Sequence, residues 1–505
     1  MKKNIKKIVN LLFSRLCLVF LMVSFQIILV LVAAFLLEEK FPIIVTGLNV
    51  IAAIMIINSK STDAHKLAWF ACVLLSRKFG SVLYLVVGSR NALQSKHIQS
   101  KKLHKHVLQN AKTDASLSLD AKQPRIIRYL SGNSFPAYNQ TTTKYFPEAD
   151  LVFNEMMKKL SEAQSYIFIE SFILEEGYMW AEMLKVLEKK AESGVEVRIL
   201  YDDIGCVKRL PFNYPKKLNK KGILCRSFNR VPLIIDSSIS IRDHRKLVII
   251  DGITAFINSF NICDEYINVK SSNLDHWKDN SIMITGTAVK SVVVMFLQMW
   301  NLRKASDHDF KKYIKTEVNS NSESSDLVQP FCCEPFSTTR IYENVYLNLL
   351  NSATKEVCIF TPYLVPSAGF LAACQDASKS GINIKIVYPQ KADHWYTNIL
   401  SKSYFPQLLK SGVKIYKYMS GFIHAKSMIV DDVWAVVGTA NIDYRSFYSQ
   451  FEIGVVMHKT EAVKQFSKDC KETLKQCSEL TMENCVNDLG IKLANLFLKP
   501  FKPLF

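Results

Sequence analysis

The stretch Gly421 to Glu452, GFIHAKSMIVDDVWAVVGTANIDYRSFYSQFE, places His424, Lys426, Asp431 and Asn441 on and just after a short apolar strand. A second stretch, Arg242 to Tyr266, RDHRKLVIIDGITAFINSFNICDEY, sets His244, Lys246, Asp251 and Asn261 at the same mutual spacings. Ten histidines in a chain of this composition yield about 0.1 chance matches to such a spacing, so two full matches point to one small reactive constellation present in two copies.

The duplication extends beyond the motifs. SYIFIESFIL (Ser165 to Leu174) and KEVCIFTPYLVP (Lys355 to Pro366) each read as a buried strand leading into a helix-forming stretch. Each is followed by a Ser-Gly turn and another strand, SGVEVRILYDD (Ser193 to Asp203) and SGINIKIVYPQ (Ser380 to Gln390), and each half then ends in its His motif. Helical segments alternating with short β-rich runs predict an α/β fold of two homologous subdomains, with mixed, mainly parallel sheets flanked by helices. The halves are expected at residues 126–318 and 327–505, separated by the polar linker NSNSESSD at 319–326. A reactive centre drawn from both would sit in their shared cleft.

Ahead of the repeat lies a membrane region. LCLVFLMVSFQIILVLVAAFLL, Leu16 to Leu37, carries no charge and is as long as a bilayer-spanning helix needs to be, and Phe41 to Ile57 is just long enough for a second span. Basic residues flank both ends of this hairpin (residues 1–60), which puts both ends, and with them the repeat, on the cytoplasmic side of a membrane. A third apolar stretch, Leu67 to Val87, is interrupted by Ser76-Arg77-Lys78 and reads as interfacial or re-entrant. With the basic segment after Arg90 it makes up residues 61–125, a strip suited to anionic headgroups. The last run, VNDLGIKLANLFLKPFKPLF, puts Leu489, Leu493, Leu496 and Phe497 roughly on one helical face, that of an interfacial helix or of one packed on the core.

The net charge of +19 favours an anionic partner, either nucleic acid or a membrane surface. The twelve cysteines form no disulfide pattern and no CxxC, and read as reduced thiols.

On a strand, a His and a Lys two residues apart share one face. Lys246, Lys426, Asn261 and Asn441 can stabilise the charge on a pentacoordinate phosphorus. The two histidines, one from each half, can supply a nucleophile and an acid and base for a two-step displacement. No metal or cofactor is implied. Asp251 and Asp431 close their strands in Asp-Gly and Asp-Asp turns, so a turn-holding role stands beside a catalytic one. Asp279 and Glu452, each near the start of the strand after its motif, are placed to hold an imidazole's other nitrogen.

The paired HxKxxxxD motifs with a trailing Asn resemble the phospholipase D superfamily. With the membrane hairpin, the NICDEY and NIDYRSF tails and SYFPQLLKSGVKIYKY, the chain is similar to bacterial cardiolipin synthases of that type. The resemblance implies transfer of a phosphatidyl group from one phosphatidylglycerol to another, releasing glycerol, through a phosphohistidine. It also implies His244 as nucleophile, His424 as general acid and base, and a phosphate site to which Ser259 and Thr439 contribute with the lysines and asparagines. Two departures stand out: Asn258-Ser259 replaces a Gly-Gly turn, for which a local backbone change is expected, and PFCCEPF (Pro330 to Phe336) replaces a Ser-Gly-Pro turn. Anionic membrane lipids are the expected partners and nucleic acid is not; the sequence sets no oligomeric state. A hydrolytic phospholipase D and a nuclease with the same motif are the competing readings.

Overall fold

The structure, a computed structural model, describes residues 42–59, 63–76, 79–85, 123–230, 237–270, 273–302, 310–315, 326–337 and 339–483, with a few isolated positions besides. Most of the first apolar run, the basic strip after Arg90, the linker 319–325 and nearly all of the C-terminal run lie outside the described residues.

The first half builds β1 (Thr141–Phe146), β2 (Tyr166–Ser171), β3 (Glu196–Asp202), β4 (Leu224–Phe228), β5 (Arg242–Asp243), β6 (Leu247–Ile250), β7 (Thr254–Asn258), β8 (His276–Lys278) and β9 (Ser281–Gly286). The second builds β10 (Leu327–Cys333), β11 (Glu356–Phe360), β12 (Asn383–Pro389), β13 (Lys414–Tyr418), β14 (Gly421–Ile423), β15 (Ser427–Val430), β16 (Trp434–Gly438), β17 (Gln450–His458) and β18 (Cys477–Glu479). The sheet orders are β1-β9-β7-β6-β2-β3-β4 and β10-β17-β16-β15-β11-β12-β13-β18. Apart from the added edge strand β18 they coincide, so the repeat read from the sequence is a repeat of topology.

Continuous apolar runs form the central strands because both faces of each sheet are covered: every residue of β2, β6 and β15 is buried. Helix Ala149–Glu162 buries Ala149, Val152, Phe153, Met156 and Leu160, the spacing of a single helical face. Helices Tyr178–Glu192 and Ala368–Lys379 both stop at Ser-Gly, where Gly194 and Gly381 take left-handed φ values of +90° and +91°.

The sheets are mixed but not mainly parallel. Along these two strand orders only β2·β3 and β3·β4, and their counterparts β11·β12 and β12·β13, run parallel; the other neighbours in the two orders are antiparallel. Helical crossovers link only those first strands. Each His motif instead forms an antiparallel hairpin, β6–β7 or β15–β16, closed at Asp251-Gly252 or Asp431-Asp432 with all four residues at positive φ.

The halves interlock. Helix Val289–Asn301, buried from Val289 to Trp300, lies between the first sheet and β10. Helix Glu461–Lys475 covers β1, where the Tyr145 N–H donates to Gln465 Oε1 (2.8 Å) and the Tyr145 hydroxyl to Asp469 Oδ2 (2.7 Å). Each half's last helix therefore reaches the other half's first strand.

In the N-terminal apolar region, helix Pro42–Asn58 extends about 26 Å at roughly 1.5 Å per residue and leaves Ile43, Ile44, Val50, Ile51 and Ile54 uncovered. Among the described residues no helix is long and apolar enough to cross a membrane. The third apolar stretch is not one continuous helix: Asp63–Leu75 ends at the basic interruption and Gly80–Leu83 resumes after it. The eleven described cysteines are all free.

Candidate active site

Two short parallel pairings between the halves build the site. β5 pairs with the start of β17, setting Arg242 opposite Gln450 and Asp243 opposite Phe451. β14 pairs with β8, setting Ile423 opposite Lys278. In both, the next residue on one strand is a motif histidine and the next on the other is a carboxylate. The His244 N–H donates to the Phe451 carbonyl (2.9 Å) and the His424 N–H to the Lys278 carbonyl (2.8 Å), locking the register. Gly421 makes the second pairing possible, since a Cβ there would stand 2.1 Å from the His276 carbonyl oxygen.

The imidazoles consequently find their partners across the repeat. His244 Nδ1 lies 2.9 and 3.0 Å from the two carboxylate oxygens of Glu452, and His424 Nδ1 lies 2.9 Å from Asp279 Oδ1. The sequence pointed to these two carboxylates; each stands after the motif of its own half but serves the histidine of the other. An acceptor at Nδ1 holds the proton there and leaves Nε2 with its lone pair, the form required of a nucleophile or base. Both histidines are over nine-tenths buried.

Electrostatics distinguish the two pairs. Burial, followed by Lys246, Lys426, His424 and Arg445, pushes His244 well below the ordinary imidazole value. Burial lowers His424 too, but against the charge of Asp279, which favours the imidazolium. Burial raises Glu452 to about 7, whereas for Asp279 the pull of His424, Lys426 and the Ser259 hydroxyl overcomes burial and holds the carboxylate below its usual range.

Lys246 and Lys426 are buried beside the histidines. Lys246 Nζ donates to the His244 carbonyl (2.6 Å); Lys426 Nζ donates to the His424 carbonyl and, at 3.3 Å, to the carbonyl of Ser259 in the other half. Burial lowers them to about 8 and about 7, so these ammonium groups lie where an anion would be welcome.

Ser259 and Thr439, expected at the phosphate, have their hydroxyls hydrogen-bonded to the two acids that hold the imidazoles. The Ser259 hydroxyl lies 2.6 Å from Asp279 Oδ1 and accepts from the Asn280 N–H (3.0 Å), while the Thr439 hydroxyl donates to Glu452 Oε2 (2.5 Å) and accepts from the Ile453 N–H (3.0 Å). Each hydroxyl also has a backbone carbonyl in reach, Asn280 at 2.8 Å and Ile453 at 3.2 Å, and through its contact with the carboxylate it braces the acid that holds an imidazole in the opposite half.

Asn261 and Asn441 are buried. Asn261 donates to the Tyr266 hydroxyl (2.8 Å) and accepts from the Ile173 N–H (3.1 Å), whereas Asn441 Oδ1 has no hydrogen-bond partner. Asp251 and Asp431 are not brought to the histidines. Asp251 accepts the backbone N–H groups of Gln164, Ser165 and Tyr166 at 2.6–2.9 Å. Asp431 accepts those of Thr354, Lys355 and Glu356 at 2.7–2.8 Å, with the Thr354 hydroxyl at 2.8 Å. Each carboxylate anchors the start of the central strand in its half, as the turn-holding reading has it.

The expected backbone change at Asn258 is absent. Asn258 N–H donates to the Lys246 carbonyl (2.9 Å) as Gly438 N–H does to that of Lys426 (3.2 Å), and neither has positive φ. Gly438 is needed for space, because a Cβ there would meet the Tyr342 hydroxyl and the Ile453 carbonyl. Cys333, in the second departure, pairs opposite Glu452 on β10.

Several wall residues escaped the sequence reading. Tyr266, Trp277 and Phe422 place ring centroids 5.2, 5.6 and 5.8 Å from the His424 ring, and Phe172 lies 5.0 Å from that of His244. Tyr266 stands within NICDEY, where its spacing assigns it no role.

A family model described as "Cardiolipin synthase, PLD-like domain" matches residues 156–300 and 346–474. The chain is 30% identical to cardiolipin synthase 1 of Bacillus cereus over 90% of its length and 91% of that protein's. It is 32% identical to a cardiolipin synthase of Clostridium perfringens over 83% and 89% of the two chains. Among solved structures, phosphatidylserine synthase of Haemophilus influenzae superimposes with a TM-score of 0.56 at 14% identity, covering 80% of this chain and 98% of that one, a likeness of fold.

Proposed function

The chain belongs to the phospholipase D-like family of cardiolipin synthases, and from that membership and the paired site we propose that it is a membrane phosphatidyltransferase converting two phosphatidylglycerol molecules into cardiolipin and glycerol. The observation that carries the proposal is the crossed arrangement of two buried His–carboxylate pairs with two buried lysines between the halves.

The steps follow from that arrangement. His244, neutral and with its Nδ1 proton held by Glu452, attacks the phosphorus of the first phosphatidylglycerol through Nε2. The bond from phosphorus to the headgroup glycerol oxygen breaks, and His424, protonated for this step with ionised Asp279 offsetting part of what burial costs its imidazolium, gives that oxygen its proton. Glycerol leaves. A hydroxyl of a second phosphatidylglycerol then attacks the phosphohistidine, passes its proton to His424, and the P–N bond breaks to give cardiolipin. Lys246 and Lys426 offset the charge on the non-bridging oxygens, with Asn261 and Asn441 as amide donors. The pKa directions support His244 as nucleophile, since it is the imidazole more strongly held neutral. Phosphodiester exchange is nearly balanced in free energy, so excluding water from the phosphohistidine is what separates synthesis from hydrolysis.

The proposed setting is the bacterial cell membrane, with the N-terminal hairpin as a double span and the catalytic halves on the cytoplasmic side. Uncovered apolar side chains along Pro42–Asn58 and the charge bias of the flanks support it. The test is to supply the membrane-embedded protein with phosphatidylglycerol and follow lipid products and free glycerol. Cardiolipin and glycerol in equal amounts are expected; phosphatidic acid without cardiolipin would contradict the synthase reading.

A further inference from the structure

Three large apolar or aromatic side chains are left uncovered on separate segments that meet beside the histidine site. Trp395 is 69% exposed, Val269 58% and Tyr178 52%. The other five tryptophans are buried or half-buried.

Hydrogen bonds connect these segments to the site and to one another. Asn268, next to Val269, exchanges two hydrogen bonds with the backbone of Trp277 (2.8 and 3.0 Å), whose ring lies 5.6 Å from that of His424. The Val269 N–H donates to the Asp264 carbonyl (3.3 Å), and the Asp264 carboxylate accepts from the N–H groups of Tyr178 and Met179 (both 2.8 Å). Lys391 Nζ, 2.5 Å from Asp275 Oδ2, joins the Val269 loop to the segment that carries Trp395. Two residues before Trp395, Asp393 accepts from the Tyr363 hydroxyl and is near enough to act on the Lys426 ammonium.

One exposed apolar residue needs no explanation. Three on segments tied to one another by hydrogen bonds, two of them Trp and Tyr, have the composition of a bilayer interface, where an apolar body and a polar tip are both accommodated. Lys270 and Lys391 lie beside them in surface ion pairs with Glu175 and Asp275, too weak to withhold the lysines from anionic headgroups.

We propose that Tyr178, Val269 and Trp395 form a membrane-contacting rim that enters the headgroup layer of an anionic phospholipid bilayer and seats the mouth of the histidine site upon it. A headgroup phosphate then reaches Lys246 and Lys426 while its acyl chains stay in the bilayer. The inference rests on the phosphatidyl-transfer reading above and adds which surface of the catalytic halves meets the lipid.

The test compares the full-length chain acting on phosphatidylglycerol diluted in neutral detergent micelles and on a short-chain phosphatidylglycerol dispersed as monomers. Trp395→Ser and Val269→Ser should each raise the surface concentration needed for half-maximal turnover severalfold and leave the monomeric substrate's rate unchanged, with Trp395→Phe close to wild type. Unchanged behaviour in micelles, or an equal loss on both substrate forms, overturns the rim. If the wild type yields no cardiolipin in either format, the transfer reading fails and fluorescence decides the rim separately. In phosphatidylglycerol vesicles with brominated acyl chains, the emission lost in Trp395→Phe should be quenched by bromine and shielded from aqueous acrylamide. Quenching by acrylamide alone, or by neither as in a contact between copies of the chain, overturns it.

Discussion

His424 of the second motif holds its Nδ1 2.9 Å from Asp279 Oδ1, an acid that belongs to the first half, 145 residues away in the chain. Neither half therefore contains a working pair; each lends its carboxylate to the other's imidazole. Asp279→Asn is expected to lower turnover about 10²-fold or more, the scale of a misassigned acid–base group, while the fold persists because asparagine fills the same space. Glu452→Gln should do the same through His244. Measured kcat for the two variants checks this, and a loss under threefold in both would contradict it.

The depressed lysines make headgroup binding a proton-linked event. With Lys426 at about 7 and Lys246 at about 8, both are partly neutral between pH 7 and 8 in the free protein. A bound phosphodiester anion favours their charged forms and raises both values, so binding takes up protons. Calorimetry with a glycerophosphate headgroup analogue, in two buffers of different ionisation enthalpy at pH 7.5, should show net uptake. Proton release would contradict the placement of the anion between the lysines.

Asp431 anchors Thr354, Lys355 and Glu356, so Asp431→Ala should reduce stability by about 2–3 kcal/mol through loss of charge-assisted hydrogen bonds. Turnover per folded molecule should stay within a few-fold of wild type. Denaturant unfolding paired with activity separates the outcomes, and an inactive variant of undiminished stability would make this aspartate catalytic.

Stability should fall on the acid side through the histidines. His458, stacked on Trp434 with centroids 4.0 Å apart, is lowered by burial to about 4. Its folded value lies below the unfolded 6.5, so its contribution is complete above 6.5 and is lost as pH falls toward 4; His244 and His424 act in the same direction. Glu452, raised to about 7, has the opposite sign, its contribution being complete below 4.5 and lost as pH rises through 7. Melting temperature against pH for His458→Gln should decline less steeply between 6.5 and 4 than for wild type.

The two motifs, the two halves and the buried strands were legible in the sequence because each is a local pattern: a fixed spacing, an apolar run, a Ser-Gly turn. The direction of the sheets was misjudged although the signal was present, since Asp251-Gly252 is itself a hairpin turn and argues for antiparallel strands after each histidine. Residues 279 and 452 could be picked out as carboxylates, but their crossing could not, because it depends on β8 meeting β14 and β5 meeting β17 across the repeat. The roles of Ser259 and Thr439 were hidden for the same reason: a hydroxyl's direction is set by which acid folds against it, 20 and 13 residues farther along. Tyr266, Trp277 and Phe422 read as ordinary core aromatics until His424 is placed among them.

The central claim is a covalent step at one histidine assisted by the other. A phosphatidyl ester with a p-nitrophenol leaving group, which departs without protonation, should give His424→Ala one rapid equivalent of p-nitrophenolate and leave a phosphatidyl group on His244, located by mass spectrometry. His244→Ala should give no burst and no adduct. An adduct on His424, or steady hydrolysis by His244→Ala, would contradict the account.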